Sequence, residues 1–298
     1  METKPGGVSL VVELNEMKIE KKQRGSLTVH LNFKNKQPKW FLLTSDRHHD
    51  NAHTNHALEK KHLDEAVERD AHIIDIGDLF CAMQGKWDRR ADTTQLRPEY
   101  IGGNYLDLLV DEAVKFYAPY ADRFLQMSPG NHETSITKRH ETNLTERLVE
   151  RLNQKSGKHK IYVGGYSGWI QFFCKRSTVT KSFNYFYHHG FGGGGPVTRG
   201  VIQTNRMSVY LPDATFVHTG HTHDEWVMPI QRARISQAGV PYQDTQTHIR
   251  TPGYKDEYAD GAGGWHIERG GPPKPNGAAW LKIWAEGYKF QTEVIAAH

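Results

Sequence analysis

The sequence predicts an α/β (α+β) fold, and three observations carry that expectation. Continuous apolar runs of strand length alternate with segments of helical periodicity through the first half of the chain. From Lys160 onward the pattern changes to closely spaced strands. Several apolar runs also deliver polar residues at their carboxyl ends, where open α/β sheets bind ligands. With 298 residues the chain can bury a proper core, and with no repeat or linker a single domain over 1–298 is the simplest organisation.

Taken in order, Leu10–Leu14 and Leu27–Phe33 read as short strands joined by the basic turn Lys21–Gly25, a hairpin-like lead-in over residues 1–38. Trp40–Thr44 reads as a strand buried on both faces, ending in Ser45-Asp46-Arg47-His48. Ala57–Asp70 groups Ala57, Leu58, Leu63, Ala66 and Val67 on one helical face, which places His56 and His62, with His53, on or beside a solvated helix. His72–Ile76 is the next strand and delivers Gly77-Asp78. Residues 80–103 lack periodicity and form a loop long enough to serve as a lid or substrate wall.

Tyr105–Tyr117 is helical, Arg123–Met127 is a third strand delivering the Asn131-His132 turn, and Leu144, Leu148, Val149 and Leu152 mark another helix. Strands follow at Ile161–Val163, Trp169–Cys174, Phe183–His188, Thr215–Thr219, Trp226–Ile230 and Arg234–Gln237. A Gly/Pro-rich segment spans 253–277, and a closing hairpin pairs Trp280–Glu286 with Tyr288–Ile295 around Gly287.

Composition excludes some classes. A 37% hydrophobic, 24% charged chain is a soluble globular type, and a net charge of +4 permits an anionic substrate without the concentrated patch of a dedicated nucleic-acid binder. Two cysteines, Cys81 and Cys174, rule out a disulfide scaffold or a zinc ribbon. The start, Met1 to Gly7, has no apolar signal core, and no run approaches the ~20 apolar residues of a membrane span, so a cytoplasmic setting without a membrane partner is expected. Eighteen histidines are many, and they crowd at His48, His49, His53, His56 and His62 and again at His218, His221 and His223. Most histidines are solvated or satisfied in cores, but imidazole is also the commonest transition-metal ligand.

Five strand ends present polar residues in the same manner: Asp46-x-His48, Gly77-Asp78, Gly130-Asn131-His132, His189-Gly190 and Gly220-His221-x-His223. Each alone is an ordinary loop signature, whereas five in this order do not arise from core packing. As a set they resemble the calcineurin-like metallophosphoesterase superfamily. The match covers residues 46 to 223. The tracts Gly130-Asn131-His132-Glu133-Thr134-Ser135 and Gly264-Trp265-His266-Ile267-Glu268 further resemble phage- and prophage-encoded members, and Gly77-Asp78-Leu79-Phe80 is similar to the corresponding motif of DNA-repair exonucleases.

The resemblance implies a four-layer sandwich, with two central mixed β-sheets flanked by helices. It implies two divalent metal ions, manganese first, with iron, zinc, nickel, cobalt or magnesium as alternatives. Asp46, His48 and His223 would hold one ion, Asn131, His189 and His221 the other, and Asp78 would bridge them. A metal-bridging hydroxide would attack phosphorus, with His132 as general acid. His49, His188 and His218 are expected to pack or to orient ligands. Arg139 and Arg199 are candidate phosphate partners, and Gly192–Gly195 could bring backbone amides to a phosphate.

One departure bears on substrate. Phosphoprotein phosphatases of the superfamily carry an Asp-Arg pair after Gly-Asp, whereas here Cys81 stands three residues after Asp78 and an Asp-Arg pair occurs only at Asp88-Arg89. The expected function is therefore phosphodiester hydrolysis, on nucleic acid or a nucleotide, with His132 lacking an assigned partner. Phosphomonoester hydrolysis is the alternative within the fold, and a non-catalytic metal-binding scaffold the alternative outside enzymes.

Overall fold

A computed structural model describes residues 11–14, 17–23, 25–34, 37–83, 91, 95–101, 103–157, 160–193, 195, 197–198, 200–259, 265–268 and 270–298. The first part of the chain forms β1 (Val11–Leu14), β2 (Met17–Gln23), β3 (Ser26–Asn32), β4 (Lys39–Thr44), α1 (His56–Glu68), β5 (His72–Asp75), α2 (Tyr105–Tyr117) and β6 (Phe124–Met127). The middle adds α3 (Asn131–His140), α4 (Leu144–Lys155), β7 (Tyr162–Val163), β8 (Ser167–Arg176), β9 (Val179–His188), α5 (Val201–Tyr210) and β10 (Phe216–Thr219). The last part forms β11 (Trp226–Ile235), β12 (Pro241–Arg250), α6 (Trp265–Glu268), β13 (Ala278–Glu286) and β14 (Lys289–Ala297).

The strands make two sheets, one ordered β1-β2-β3-β8-β9-β10-β12-β11 and the other β14-β13-β4-β5-β6-β7. Both are mixed. In the smaller sheet β4, β5, β6 and β7 run parallel while β13 is antiparallel to β4. The reason lies in the continuous apolar runs. In β4, Phe41 and Leu43 face the larger sheet while Leu42 faces helices, so both sides of the strand are covered.

Ile19, Val29, Phe172 and Tyr185 of the larger sheet pack against Phe41, Ile74 and Leu281 of the smaller, with the Phe41 and Phe172 rings 4.6 Å apart. On the outer side of the smaller sheet, Leu63 of α1, Leu109 of α2 and Leu148 of α4 cover Leu42, Ile73 and Phe124. On the outer side of the larger sheet, Met207 of α5 covers Phe186 and Val217. The result is the expected sandwich of four layers, with helices outside two mixed sheets.

Several elements differ from the sequence reading. The buried face of α1 carries Glu59, His62, Leu63 and Ala66, and Ala57 and Val67 are exposed. Glu59 is drawn inward by Arg47, 2.6 Å away. His62 is 1% exposed and shares a hydrogen bond with the Tyr254 hydroxyl, so it is not solvated. The turn at Asn131-His132 is the first turn of α3, with Gly130 as N-cap donating its N–H to the Glu133 carboxylate at 2.8 Å. Trp226–Ile230 and Arg234–Gln237 fall mainly within the single strand β11, interrupted in pattern by Pro229. That proline is tolerated because β11 is the sheet edge. Its partner β12 is polar through Gln243–Thr247, which hides it from an apolar-run criterion, and α5 has exposed Ile202, Val209 and Tyr210 that blur its period.

Part of the proposed lid loop, including Asp88-Arg89, lies outside the described residues, but its start is core: Phe80, Cys81 and Ala82 are buried. Within the Gly/Pro-rich segment Tyr254 and Glu257 are likewise buried. No helix among the described residues is long and apolar enough to cross a membrane.

Candidate metal centre

The carboxyl ends of β4, β5, β9 and β10 and the amino end of α3 bring the polar motifs together. Asp46, His48 and His223 form one group whose ligand atoms lie within 4.8 Å of one another, and Asp78, His189 and His221 form a second. His48 Nε2 faces His223 Nε2 at 3.2 Å, and His223 Nε2 lies 3.4 Å from Asp46 Oδ1. In the second group His189 Nε2 is 3.0 Å from Asp78 Oδ2, and Asn131 Oδ1 lies 3.1 Å from His189 Nε2 and 2.7 Å from His221 Nδ1. Asp78 also groups with His48 and His132, so its carboxylate stands between the two sets.

Backbone conformation makes this convergence possible. Asp46, His48, Asp78, His221 and His223 all adopt left-handed φ values, between 46° and 72°. Such conformations cost on the order of 1–3 kcal/mol each and concentrate at functional sites. The motif glycines are needed for close approach. A Cβ on Gly77 would lie 2.4 Å from the Gly130 nitrogen, and one on Gly220 would lie 2.4 Å from Asp46 Oδ2.

The surroundings orient the donors. Asp46 Oδ2 accepts the His221 N–H at 2.9 Å, while Oδ1 is buried and has no hydrogen-bond partner. His189 Nδ1 lies 3.2 Å from the Ile76 carbonyl, which turns Nε2 toward Asp78. His48 holds Nδ1 against the Cys81 sulfur at 3.2 Å, leaving Nε2 directed at His223. Burial disfavours charge on His189, but the adjacent Asp78 carboxylate outweighs it and lifts the imidazole to about 9. Burial pushes His48 in the opposite direction, well below its ordinary range, with His132 and His223 adding to the effect. An orphaned carboxylate oxygen, facing imidazole nitrogens and a mixed O/N donor set fit divalent cations of the transition series.

His132 stands between the two groups, with Nε2 3.7 Å from Asp78 Oδ2 and its ring centroid 5.1 Å from that of His48. Its partner, left open by the sequence, is the Cys81 carbonyl, 2.5 Å from Nδ1. A backbone acceptor leaves no signature in residue type. Glu133 is the other residue missed as part of the site. Its carboxylate accepts from the Asp78, Phe80 and Gly130 amides at 3.1, 2.8 and 2.8 Å, tying the Gly-Asp loop to the α3 start.

Arg47, inside the first motif, is fully buried and bonds to Asp75, Glu59 and the Thr44 hydroxyl. His49 packs between Phe116, Tyr117 and His56, His188 accepts the Gly190 N–H, and His218 bridges the Tyr185 and Thr251 hydroxyls. Leu79 and Phe80 are core residues. Arg139 is exposed near the far end of α3, about 12 Å along the helix from Asn131. Arg199 lies outside the described residues, as does Gly194, whereas Gly192, Gly193 and Gly195 are exposed.

No protein-family model matches the chain, and no curated protein matches it. Solved structures do. A predicted phosphoesterase of Streptococcus pneumoniae is 8% identical, with 88% of this chain and 92% of that one covered and a TM-score of 0.33. Vacuolar protein sorting 29 of Cryptosporidium parvum is 12% identical, covering 87% and 97%, with a TM-score of 0.35. An assigned 5′-nucleotidase of Staphylococcus aureus, solved with α-ketoglutarate, is 12% identical with a TM-score of 0.41, and the match covers 87% of this chain but 54% of that one. Likeness at this level adds no weight, so the chemistry of the site is read from its own residues, whose seven donors converge on two places that share Asp78.

Proposed function

We propose that the protein is a dinuclear metal-dependent phosphoesterase of the calcineurin-like metallophosphoesterase kind, organised as one domain, and that it hydrolyses phosphodiesters of nucleic acid or nucleotides. The observation that carries this reading is the placement of Asp78 between two donor groups, Asp46/His48/His223 and Asn131/His189/His221. Two divalent cations there, manganese foremost, would supply Lewis-acid stabilisation of phosphoryl oxygens and acidify a water nucleophile.

The chain's own residues do the rest. Asp78 holds the two sets at a fixed separation, because its Oδ1 is pinned by the His132 N–H at 2.9 Å. His132 is held by the Cys81 carbonyl at Nδ1, so Nε2 is the nitrogen that faces the donor groups and delivers a proton to the leaving oxygen. Glu133 keeps the loop bearing Asp78 in register with α3. The diester preference is supported by the carbonyl partner of His132, which stands where a phosphoprotein phosphatase would use an acid, and by the mildly basic balance. If Arg139 meets phosphate, an extended substrate must run along α3 to reach it.

The test is hydrolysis of bis-p-nitrophenyl phosphate against p-nitrophenyl phosphate with Mn²⁺. The diester is expected to be preferred and its turnover to be lost in His132→Asn. A monoester preference would contradict the substrate class, and equal turnover by the variant would contradict the acid.

A further inference from the structure

Arg250 ends β12 beside the loop that carries His221 and His223. Its Nη1 donates to the hydroxyl of Thr222, the residue between those two histidines, at 2.6 Å. Its Cζ lies 5.1 Å from the centroid of the Trp226 ring. The residue is only 4% exposed, yet Nε has no hydrogen-bond partner. Among the described residues no carboxylate makes an ion pair with it, and Asp224, the acid whose charge acts on it most, directs Oδ1 to Lys274 at 2.6 Å. Burial depresses the guanidinium, with Asp224 and Asp46 only partly opposing it. A buried cation with no carboxylate bonded to it is costly to keep.

The guanidinium also lies against the amino end of a helix. Gly200, the buried N-cap of the ten-residue α5, comes so close that a Cβ there would sit 2.6 Å from Arg250 Nη1. Gly200 offers no side chain to cap the helix, and the first turn of α5 contains no acidic residue. Helix amino ends attract anions through their free N–H groups and dipole, and guanidinium binds phosphate oxygens in pairs. The Val201 N–H is taken by the Thr198 carbonyl at 2.8 Å, so what meets here is an under-satisfied buried arginine and a helix start without a side-chain cap.

We infer that Arg250 and the amino end of α5 form a phosphate-binding subsite beside the metal centre, which takes the phosphate flanking the one that is hydrolysed. The identity of that phosphate rests on the proposed phosphoesterase function, whereas the anion site rests on its own geometry. The substrate class is thereby narrowed to esters with at least two phosphates in sequence, as in an oligonucleotide or a 5′-phosphorylated dinucleotide.

The test is calorimetric titration of inorganic phosphate into the purified, metal-loaded protein. Arg250→Gln should bind phosphate at least tenfold more weakly at unchanged metal content, Arg250→Lys should lose less, and Asp78→Asn should still bind at the subsite. Undiminished binding by Arg250→Gln, no binding by wild type, or complete loss in Asp78→Asn would overturn the subsite. If Arg250→Gln does not fold, Gly200→Ala, whose methyl intrudes on the guanidinium, should give the same loss. A 5′-phosphorylated dinucleotide should displace phosphate better than its unphosphorylated counterpart, and equal displacement would overturn the flanking assignment. Phosphate binding that persists while no phosphoester is turned over would refute the enzymatic reading and leave the subsite standing.

Discussion

His132 and Arg47 show how differently two residues of neighbouring motifs act. In the proposed role of general acid, loss of the His132 imidazole in His132→Asn should lower kcat by about 10²–10⁴-fold, the range of a general acid, with metal content unchanged. Metal analysis alongside steady-state kinetics checks it. Arg47 faces away from the donors and neutralises Asp75 and Glu59 in the core, its Nε 2.7 Å from Asp75 and its Nη1 2.6 Å from Glu59. Removing one partner of a buried ion network costs about 3–5 kcal/mol, so Arg47→Met should lower stability by that order in urea unfolding. An unchanged midpoint would show that the network contributes little. The placement of Asp46, His48, Asp78, Asn131, His189, His221 and His223 was legible because each follows an apolar run, and strand ends share one edge. The Cys81 carbonyl, the Glu133 anchor and Arg250 were not, because their roles depend on backbone atoms or on contacts made only after folding.

At the scale of elements, parallel strands β4, β5 and β6 end together, and tight glycine contacts join the loops that leave them. Gly77 has φ +114°, and a methyl there would strike the Gly130 backbone. Gly77→Ala should therefore cost at least about 1–3 kcal/mol and weaken metal retention, whereas Gly239→Ala, with φ +76° and nothing within 4 Å, should keep its metals. Equal metal content in both variants would contradict a structural role for the Gly77–Gly130 contact. Continuous apolar strands and the amphipathic α2 and α4 could be read from periodicity, since burial dictates it. By contrast β12, α5 and the buried face of α1 carry polar residues satisfied by tertiary partners, such as Gln246 bonded to the Leu211 carbonyl at 2.7 Å, which no periodicity reveals.

Across the whole molecule, several histidines are buried in neutral form. Burial holds His49 and His218 at about 3 and His62, His188 and His248 at about 4, against an ordinary value of 6.5. The unfolded chain therefore takes up protons below pH 6.5 that the folded chain refuses. The stabilisation from these groups is complete above pH 6.5 and is lost as pH falls toward 3–4. The thermal midpoint should decline steadily from pH 7 to pH 4, and a flat profile below pH 6.5 would refute this account.

The most direct measurement is phosphodiester turnover as Mn²⁺ is titrated into chelator-treated, refilled protein, with bound metal counted on the same samples. The two donor groups sharing Asp78 predict activity that saturates at two ions per chain in the wild type, and neither stoichiometry nor turnover should survive Asp78→Asn. Activity that persists without metal, or that is complete at a single ion, would contradict the dinuclear centre.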